Sequence, residues 1–263
     1  MIGLTRGAYY YKPSLSRKIS DAEVKDEIDI IHLEFPTYGY RRLYKALLRK
    51  GKRVNPKKLR RIMKGYGLFP IRPRAFFRTT DANHPWPCHP NLLEGIAGIT
   101  GPNQVWVADI TYIRILTGFV FLAAILDLYS RKVVGWSISR QIDRRLTLGA
   151  LQQALRERNP PEGCIHHSDR GVQYACDDYI KLLKEHKLKP SMSRSGNPYD
   201  NAAAESFMKT LKYDEVYLGG YETYEDVLNR LPYFIEELYN KKRLHSSLGY
   251  MPPDEFERHF PGQ

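Results

Sequence analysis

The sequence predicts an α/β fold, a mixed sheet flanked by helices, preceded by a small all-α basic domain. Three observations carry this expectation. Three β-rich apolar runs follow one another from residue 104, then give way to alternating helical and strand patterns, which builds a mixed sheet. Ahead of them, apolar residues at helical spacing with charged outer faces fill residues 21–64. Between the two lies a stretch rich in proline, glycine and polar residues, which reads as a linker.

Charge divides the chain at the same place. The 263 residues carry a formal net charge of +12. Residues 1–80 hold 20 Lys and Arg against 6 Asp and Glu, whereas residues 81–263 hold 21 against 23. An excess confined to the first third suits a nucleic-acid-binding head on a near-neutral body. Ordinary solvated basic faces are the plainer alternative. Cys88, Cys164 and Cys176 are widely separated, which argues against a disulfide framework or a structural zinc and suits a reducing cytosol. No apolar run reaches the roughly 18 residues of a membrane span, and the first residues lack the apolar stretch of a secretory signal.

In the head, Asp21 is positioned to cap a first helix over 21–35, with Val24, Ile28, Ile31 and Phe35 on its buried side. Gly39 breaks the chain. A second helix from Arg41 to Lys50 buries Leu43, Leu47 and Leu48 and aligns Arg41, Lys45 and Arg49 on another face. Asn55-Pro56 starts a third, a capping side chain followed by proline at the first helical position. That helix buries Leu59, Ile62 and Met63 and exposes Lys57, Lys58, Arg60, Arg61 and Lys64. Three short helices with basic faces suit a helix-turn-helix-like DNA-binding head over 1–72. A plain helical bundle is the alternative. The linker then spans 73–103. Its His84, Cys88 and His89 sit among prolines with no second ligand pair, so no metal site is assigned there.

Strands are expected over Gln104–Ile113, Phe119–Leu128 and Lys132–Ser139, with a turn at Thr117-Gly118. A helix follows from Arg144 to Arg158, a strand over Cys164–Ser168, a helix over Cys176–His186, a strand over Lys189–Met192 and a helix over 200–213. These form an α/β body over 104–215. A helical tail over 216–263 contains one long helix from Tyr224 to Asn240.

Three carboxylates stand out. Asp109 interrupts an apolar strand, where a charge is costly unless paired. Asp169 lies where the fourth strand ends, and Glu205 is early on a helix. If they meet at one edge of the sheet they repel one another, and a cation should hold them. Hard oxygen donors suit Mg²⁺ or Mn²⁺, and two such ions can activate an attacking oxygen and stabilise a leaving one at a phosphodiester. Singly, each has a plain reading: a strand Asp capping a turn or pairing with Arg114 or Arg170, a helix Glu in solvent. Asp127, in a similar apolar run, is read as a strand-end residue near Ser130 or Arg131.

The flanking segments are specific. Trp106-Val-Ala-Asp109-Ile-Thr-Tyr112, His167-Ser-Asp169-Arg-Gly-Val-Gln-Tyr174 and Ser195-Gly-Asn-Pro-Tyr-Asp-Asn-Ala-Ala-Ala-Glu205-Ser-Phe207 resemble the integrase core of insertion-sequence transposases of the IS-three family, in its second reading-frame (OrfB) protein. The 35 residues between Asp169 and Glu205 match that family's D,D(35)E spacing. The segments Tyr239–Pro253 and Gly39–Met63 resemble it too, so the likeness covers nearly the whole chain. It implies a ribonuclease-H-like core and metal-dependent 3′-end cleavage and strand transfer at element ends. Asp109, Asp169 and Glu205 would then be catalytic metal ligands holding Mg²⁺ or Mn²⁺, two ions in number. It also implies a homo-oligomer on DNA, a first-frame (OrfA) protein as fusion or partner, no membrane, and a bacterial cytoplasmic, nucleoid-associated location. No Ser or Tyr nucleophile is assigned.

Lys209 and Lys212 share the Glu205 face at +4 and +7 and suit phosphates, or are ordinary solvated lysines. Asn201 either caps that helix or orients a ligand. His167 is either a support for Asp169 or structural. Arg170 and Arg243 are further candidate phosphate contacts. A nuclease that hydrolyses without strand transfer and a catalytically silent DNA-binding regulator are the rival expectations.

Overall fold

The computed structural model describes residues 19–71, 89–96, 98–194 and 201–260. His84, Cys88 and the rest of residues 73–88, within the 73–103 stretch read as linker, and the Ser195–Asp200 part of the third motif lie outside the described residues. The chain divides into two compact units, Met1–Ile71 and Arg72–Gln263.

The first unit is three helices, α1 (Asp21–Glu34), α2 (Tyr40–Arg49) and α3 (Pro56–Gly65). Their apolar stripes form the core: Val24, Ile28 and Ile31 of α1, Leu43 and Leu47 of α2, and Leu59, Ile62 and Met63 of α3. One expectation is corrected. Ser20, not Asp21, caps α1, and Glu23 returns the bond to the Ser20 backbone in a capping box. Asp21 is thereby free to pair with α3, through Lys58 at 3.1 Å and Arg61 at 2.6 Å. Asn55 caps α3 ahead of Pro56, and Leu48 is only half-buried.

The second unit is built on a five-stranded sheet in the order β3-β2-β1-β4-β5. The strands are β1 (Val105–Ile115), β2 (Gly118–Asp127), β3 (Val133–Ser139), β4 (Ile165–Ser168) and β5 (Lys189–Met192). β1, β2 and β3 are an antiparallel meander, and β4 and β5 add parallel beyond β1. Each face of the sheet carries its own core, so β1 is buried on both sides. On one face α4 (Arg144–Arg158), α5 (Val172–Ala175) and α6 (Asp177–Glu185) cover Trp106, Ala108, Ala123 and Ile125. Gly135 of β3 is where α4 comes closest, since a Cβ there would lie 2.3 Å from the Ala150 carbonyl oxygen. On the other face α7 (Ala202–Leu211) and the tail cover Val105, Val107, Leu122 and Ala124. Leu93, Ile96 and Ile99, within the stretch read as linker, also pack on this second core.

The tail departs from one long helix. It runs as α8 (Tyr224–Tyr233), then as π-helix over Phe234–Asn240, and ends in α9 (Pro253–Arg258). Pro232 lies inside α8, where it has no N–H to donate and its ring crowds the preceding turn, so the hydrogen-bond ladder changes register just beyond it. α9 is anchored by a buried ion pair. Arg158 of α4 donates two bonds to Glu257, at 2.8 and 2.9 Å, and a third to Asn103 at 2.9 Å, while the Ser130 hydroxyl donates to Glu257 at 2.6 Å. Among the described residues, no helix is long and apolar enough to cross a membrane.

Removing one partner of a buried pair strands the other charge. Glu257→Ala is therefore expected to destabilise the second unit by about 3 kcal/mol, lowering Tm by roughly 6–12 °C. Thermal melts followed by circular dichroism check this, and an unchanged Tm would show that the pair is not what holds the tail.

Candidate active site

β1 and β4 lie side by side through only three pairs, the last being Val107 with His167. Asp109 and Asp169 each stand two residues beyond that last pair. The two carboxylates thus flank the point where the parallel ladder ends, at the carboxyl edge where open α/β sheets collect their ligands. Side chains alternate along a strand, so Asp109 points to the face of Val105 and Val107, the face α7 covers.

Glu205 lies in the first turn of α7 and is exposed, while Ala204 and Phe207 beside it are buried in the second core. Asn201 fixes where this helix begins. Its side chain makes no cap bond; its Nδ2 donates instead to the Ala108 carbonyl at 3.0 Å, one residue before Asp109. Its Oδ1 is buried without a hydrogen-bond partner among the described residues. Asn201 therefore ties the Glu205 helix to β1.

The electrostatics record the crowding. Burial, then the neighbouring Asp169 and more weakly Glu205, push Asp109 up to about 7 from an ordinary 3.8. The Ile110 N–H, which donates to Asp109 at 2.8 Å, and the Lys212 ammonium pull the other way. Asp169 is oriented by the Gly171 N–H at 2.9 Å. A Cβ on Gly171 would lie 2.9 Å from that same carboxylate oxygen, so a side chain there must push the Asp169 carboxylate aside. Gly171 stood in the quoted sequence motif unassigned; a glycine two residues after the Asp was the available signal. Tyr174 was passed over in the same way. Its phenol is buried, bonded to nothing among the described residues, and held well above its usual titration range by burial, Tyr179 and the two aspartates.

The remaining candidates separate. His167 is fully buried and bridges β4 to the strand beyond, its ring nitrogens 2.8 and 3.0 Å from the Ser191 and Ser193 hydroxyls. Arg170 donates to the Ser193 carbonyl at 2.8 Å. Lys209 is exposed, 5.9 Å from the Tyr213 ring. Lys212 lies past the end of α7, half-buried 4.4 Å over the Tyr112 ring, and burial holds it below its usual value despite the attraction of Asp109. Arg243 is a correction. It is buried, its Nε 2.7 Å from Asp214, and so is not available as a phosphate contact: the pair straps the tail to the segment following α7. Asp127 is a turn carboxylate, accepting the Tyr129 and Ser130 N–H groups at 2.9 and 3.1 Å. In the head, Arg41, Arg49 and Lys57 are exposed and Lys45 is half-buried, while Lys58 and Arg61 are engaged with Asp21.

Among the described residues, no three His, Cys, Asp or Glu side chains stand close enough to cage an ion as they are. The donor set nonetheless fits a hard divalent ion: carboxylate oxygens, with Asp169 and Glu205 adding to the burial that raises Asp109. A cavity of about 350 Å³ opens nearby, lined by Leu93, Glu94, Val107, Arg131 and Ala202, and holds none of the three carboxylates. Of the three, Glu205 is exposed, whereas Asp109 and Asp169 are half-buried.

A mixed sheet with paired aspartates at the ladder's end and a glutamate on the following helix defines the class of DDE integrase cores. Comparison with known proteins agrees. Two integrase core domain families match residues 99–198 and 186–253, and an HTH-like domain family matches residues 18–76. The chain is 40% identical to the 31 kDa protein of insertion element IS600 from Shigella sonnei, covering 99% of this chain and 97% of that one. It is 36% identical to the transposase of insertion sequence IS904 from Lactococcus lactis, over 94% and 97% of the two chains. It is 39% identical to transposase InsF of IS3A from Escherichia coli, over 84% and 76%. The fold matches a simian T-cell lymphotropic virus intasome structure with a TM-score of 0.52 at 15% identity, over 85% and 76%. The chain belongs to the IS-three family of insertion-sequence transposases and is a DDE-type DNA transposase.

Two outcomes follow. Gly171→Ala displaces the Asp169 carboxylate, so transposase activity should fall by about 10–100-fold with little change in Tm; equal activity would show that this contact does not position Asp169. For pH, a carboxyl raised on folding binds protons that the unfolded chain has released between pH 3.8 and about 7. Its contribution to stability is full below that window and is lost as pH rises through it. In the metal-free chain, Asp109→Asn should therefore gain more Tm over wild type at pH 8 than at pH 5. A gain independent of pH would contradict the assignment.

Proposed function

We propose that Asp109, Asp169 and Glu205 are the catalytic carboxylates and together hold two divalent ions, Mg²⁺ or Mn²⁺, for 3′-end cleavage and strand transfer. One observation carries the reading. Asp109 and Asp169 stand at equal distance past the last parallel pair, and Asn201 anchors the Glu205 helix to the carbonyl just before Asp109. Bound there, divalent ions supply charge neutralisation at the phosphodiester and lower the pKa of an attacking water.

The chain's own residues do the rest. Asp109 presents its oxygens from β1 and Asp169 from just past the end of β4, and Glu205 adds its own from an exposed helix face. Lys209, Lys212 and Arg170 border this edge and are assigned to phosphates of the DNA end. Water first attacks a phosphorus and frees a 3′-hydroxyl; that hydroxyl then attacks a target phosphodiester and displaces the adjoining 3′ oxygen. No protein nucleophile intervenes. Arg41, Lys45, Arg49 and Lys57 of the head are assigned to DNA phosphates, with residues 1–72 as DNA-binding head, 73–103 as linker, 104–215 as core and 216–263 as tail. Assembly as a homo-oligomer on DNA in the bacterial cytoplasm, with a first-frame protein as fusion or partner, completes the reading.

The test is a joining assay with precut element ends and a target plasmid in Mg²⁺. Wild type should join ends to target, and Asp169→Asn should lose cleavage and joining by about 100-fold or more, as loss of several kcal/mol of charge stabilisation requires. Cleavage persisting in Asp169→Asn would remove it from the site; cleavage without joined product would make the protein a nuclease.

A further inference from the structure

Backbone carbonyls alternate sides along a strand, which fixes what β1 presents where its parallel ladder stops. The Gln104 carbonyl accepts the Ile165 N–H at the start of β4, at 2.9 Å, while the Val105 carbonyl turns the other way to the Leu128 N–H at 2.9 Å. Counting on by twos, the Trp106 and Ala108 carbonyls face the β4 side as well. A continued ladder would bring the Asp169 N–H to Ala108, since 104 and 165 keep step with 108 and 169. The pairing ends at Val107 and His167, so β4 does not supply that rung. Asn201 supplies it. Its Nδ2 donates to the Ala108 carbonyl at 3.0 Å, across 93 positions of sequence.

The Ala108 carbonyl and the Asp109 N–H belong to one peptide group. At the other side of Asn201, its own backbone carbonyl accepts the Glu205 N–H at 3.1 Å. Two hydrogen bonds through one residue therefore join the peptide that carries Asp109 to the backbone of Glu205. Both ends are seated: Ala108 is fully buried, as are Ala204 and Phe207 on either side of Glu205. Helix capping does not account for the residue. Asparagine is a favoured cap, yet the Asn201 side chain makes no cap bond. Stability alone does not account for it either. Asn201 is 7% exposed, and its Oδ1 is buried with no hydrogen-bond partner among the described residues, which is costly.

We propose that Asn201 is a positioning residue: by making the missing rung it sets Glu205 at its distance from Asp109 and Asp169, and so governs how tightly the three carboxylates hold a divalent ion. The proposal rests on reading those carboxylates as the ion-holding site and deepens it. Asn201 acts through Glu205, and touches neither the ion nor DNA in this role.

Mn²⁺ binding to the full chain without DNA, followed by electron paramagnetic resonance of the free ion, tests this. Wild type should bind, and Glu205→Gln should bind more weakly. Asn201→Ala should weaken Mn²⁺ binding by roughly 10–100-fold, the usual loss when a residue supporting a ligand is removed. Asn201→Ser can still cap a helix, but its shorter side chain gives up the Ala108 bond, and it should lose as much as Asn201→Ala. In a Glu205→Gln background, Asn201→Ala should change the affinity by no more than about two-fold, because its effect runs through Glu205. Thermal melts of the metal-free variants establish that each is folded at the temperature of measurement; should Asn201→Ala melt early, Asn201→Ser carries the comparison. Wild-type Mn²⁺ affinity in Asn201→Ser, or losses from the Asn201 and Glu205 substitutions that simply add, would overturn the positioning role alone. Mn²⁺ affinity left unchanged by Glu205→Gln would overturn the carboxylate site and the proposal with it.

Discussion

The second unit is organised around one electrostatic constraint: two aspartates must be kept together where they would rather separate. The device is an unequal pair of parallel strands. β1 runs for 11 residues and β4 for 4, so their ladder stops while β1 continues. Two residues past the stop, each chain carries its Asp. Neither can move away, because the preceding residues are locked in the sheet and buried on both faces, Trp106 and Ala108 against one core and Val105 and Val107 against the other. Burial first and the Asp169 charge second raise the titration of Asp109, and the two cores supply the stability that tolerates it.

The third carboxylate depends on that arrangement from a distance. Glu205 lies on a helix seated by Ala204, Phe207 and Leu211, and the seat is completed by the tail. Phe207 meets Tyr239 edge-on at 4.8 Å, and the Asp214–Arg243 pair ties the segment after α7 to the chain after the π-helix. Glu257 and Arg158 then close the tail onto α4. The tail is thus part of what holds the helix face in place. A lesion at Arg243 or Glu257 would act on Glu205 through packing, with no contact to DNA.

Much of this was legible in the sequence, for reasons that differ by element. The head helices and the meander follow from apolar periodicity, which survives folding because it is what folding buries. The candidate carboxylates stand out in the sequence through their flanking words more than their spacing, since Asp109 and Asp127 interrupt similar apolar runs. What separates them is the company: Asp127 accepts the Tyr129 and Ser130 amides and has Arg158 beside Glu257 as neighbours, while Asp109 meets Asp169 and Glu205. Charges were read least well. Arg243 looked like a phosphate contact, yet its partner Asp214 lies 29 positions away in the chain. Lys58 and Arg61 answer to Asp21, 40 positions from Arg61, once Ser20 takes over the cap. A sequence displays a cation but not the carboxylate that folding brings to it. The π-helical turn after Pro232 was missed because periodicity alone does not report a ladder that changes register.

The uneven charge of the chain follows from the same constraint. A strongly basic surface around Asp109 would favour its ionised form and weaken the field that makes a divalent ion welcome; a strongly acidic one would repel the substrate's phosphates. The body therefore stays near neutral, with Lys212 half-buried beside Asp109 and Lys209 exposed one helical turn past Glu205. Affinity for a polyanion must come from elsewhere, and 20 of the 41 basic residues lie in the first 80 positions. Counterion release makes such affinity strong, long-ranged and indifferent to sequence. Concentrating the basic residues in the first 80 positions leaves the rest of the chain, which carries the proposed catalytic carboxylates, near neutral.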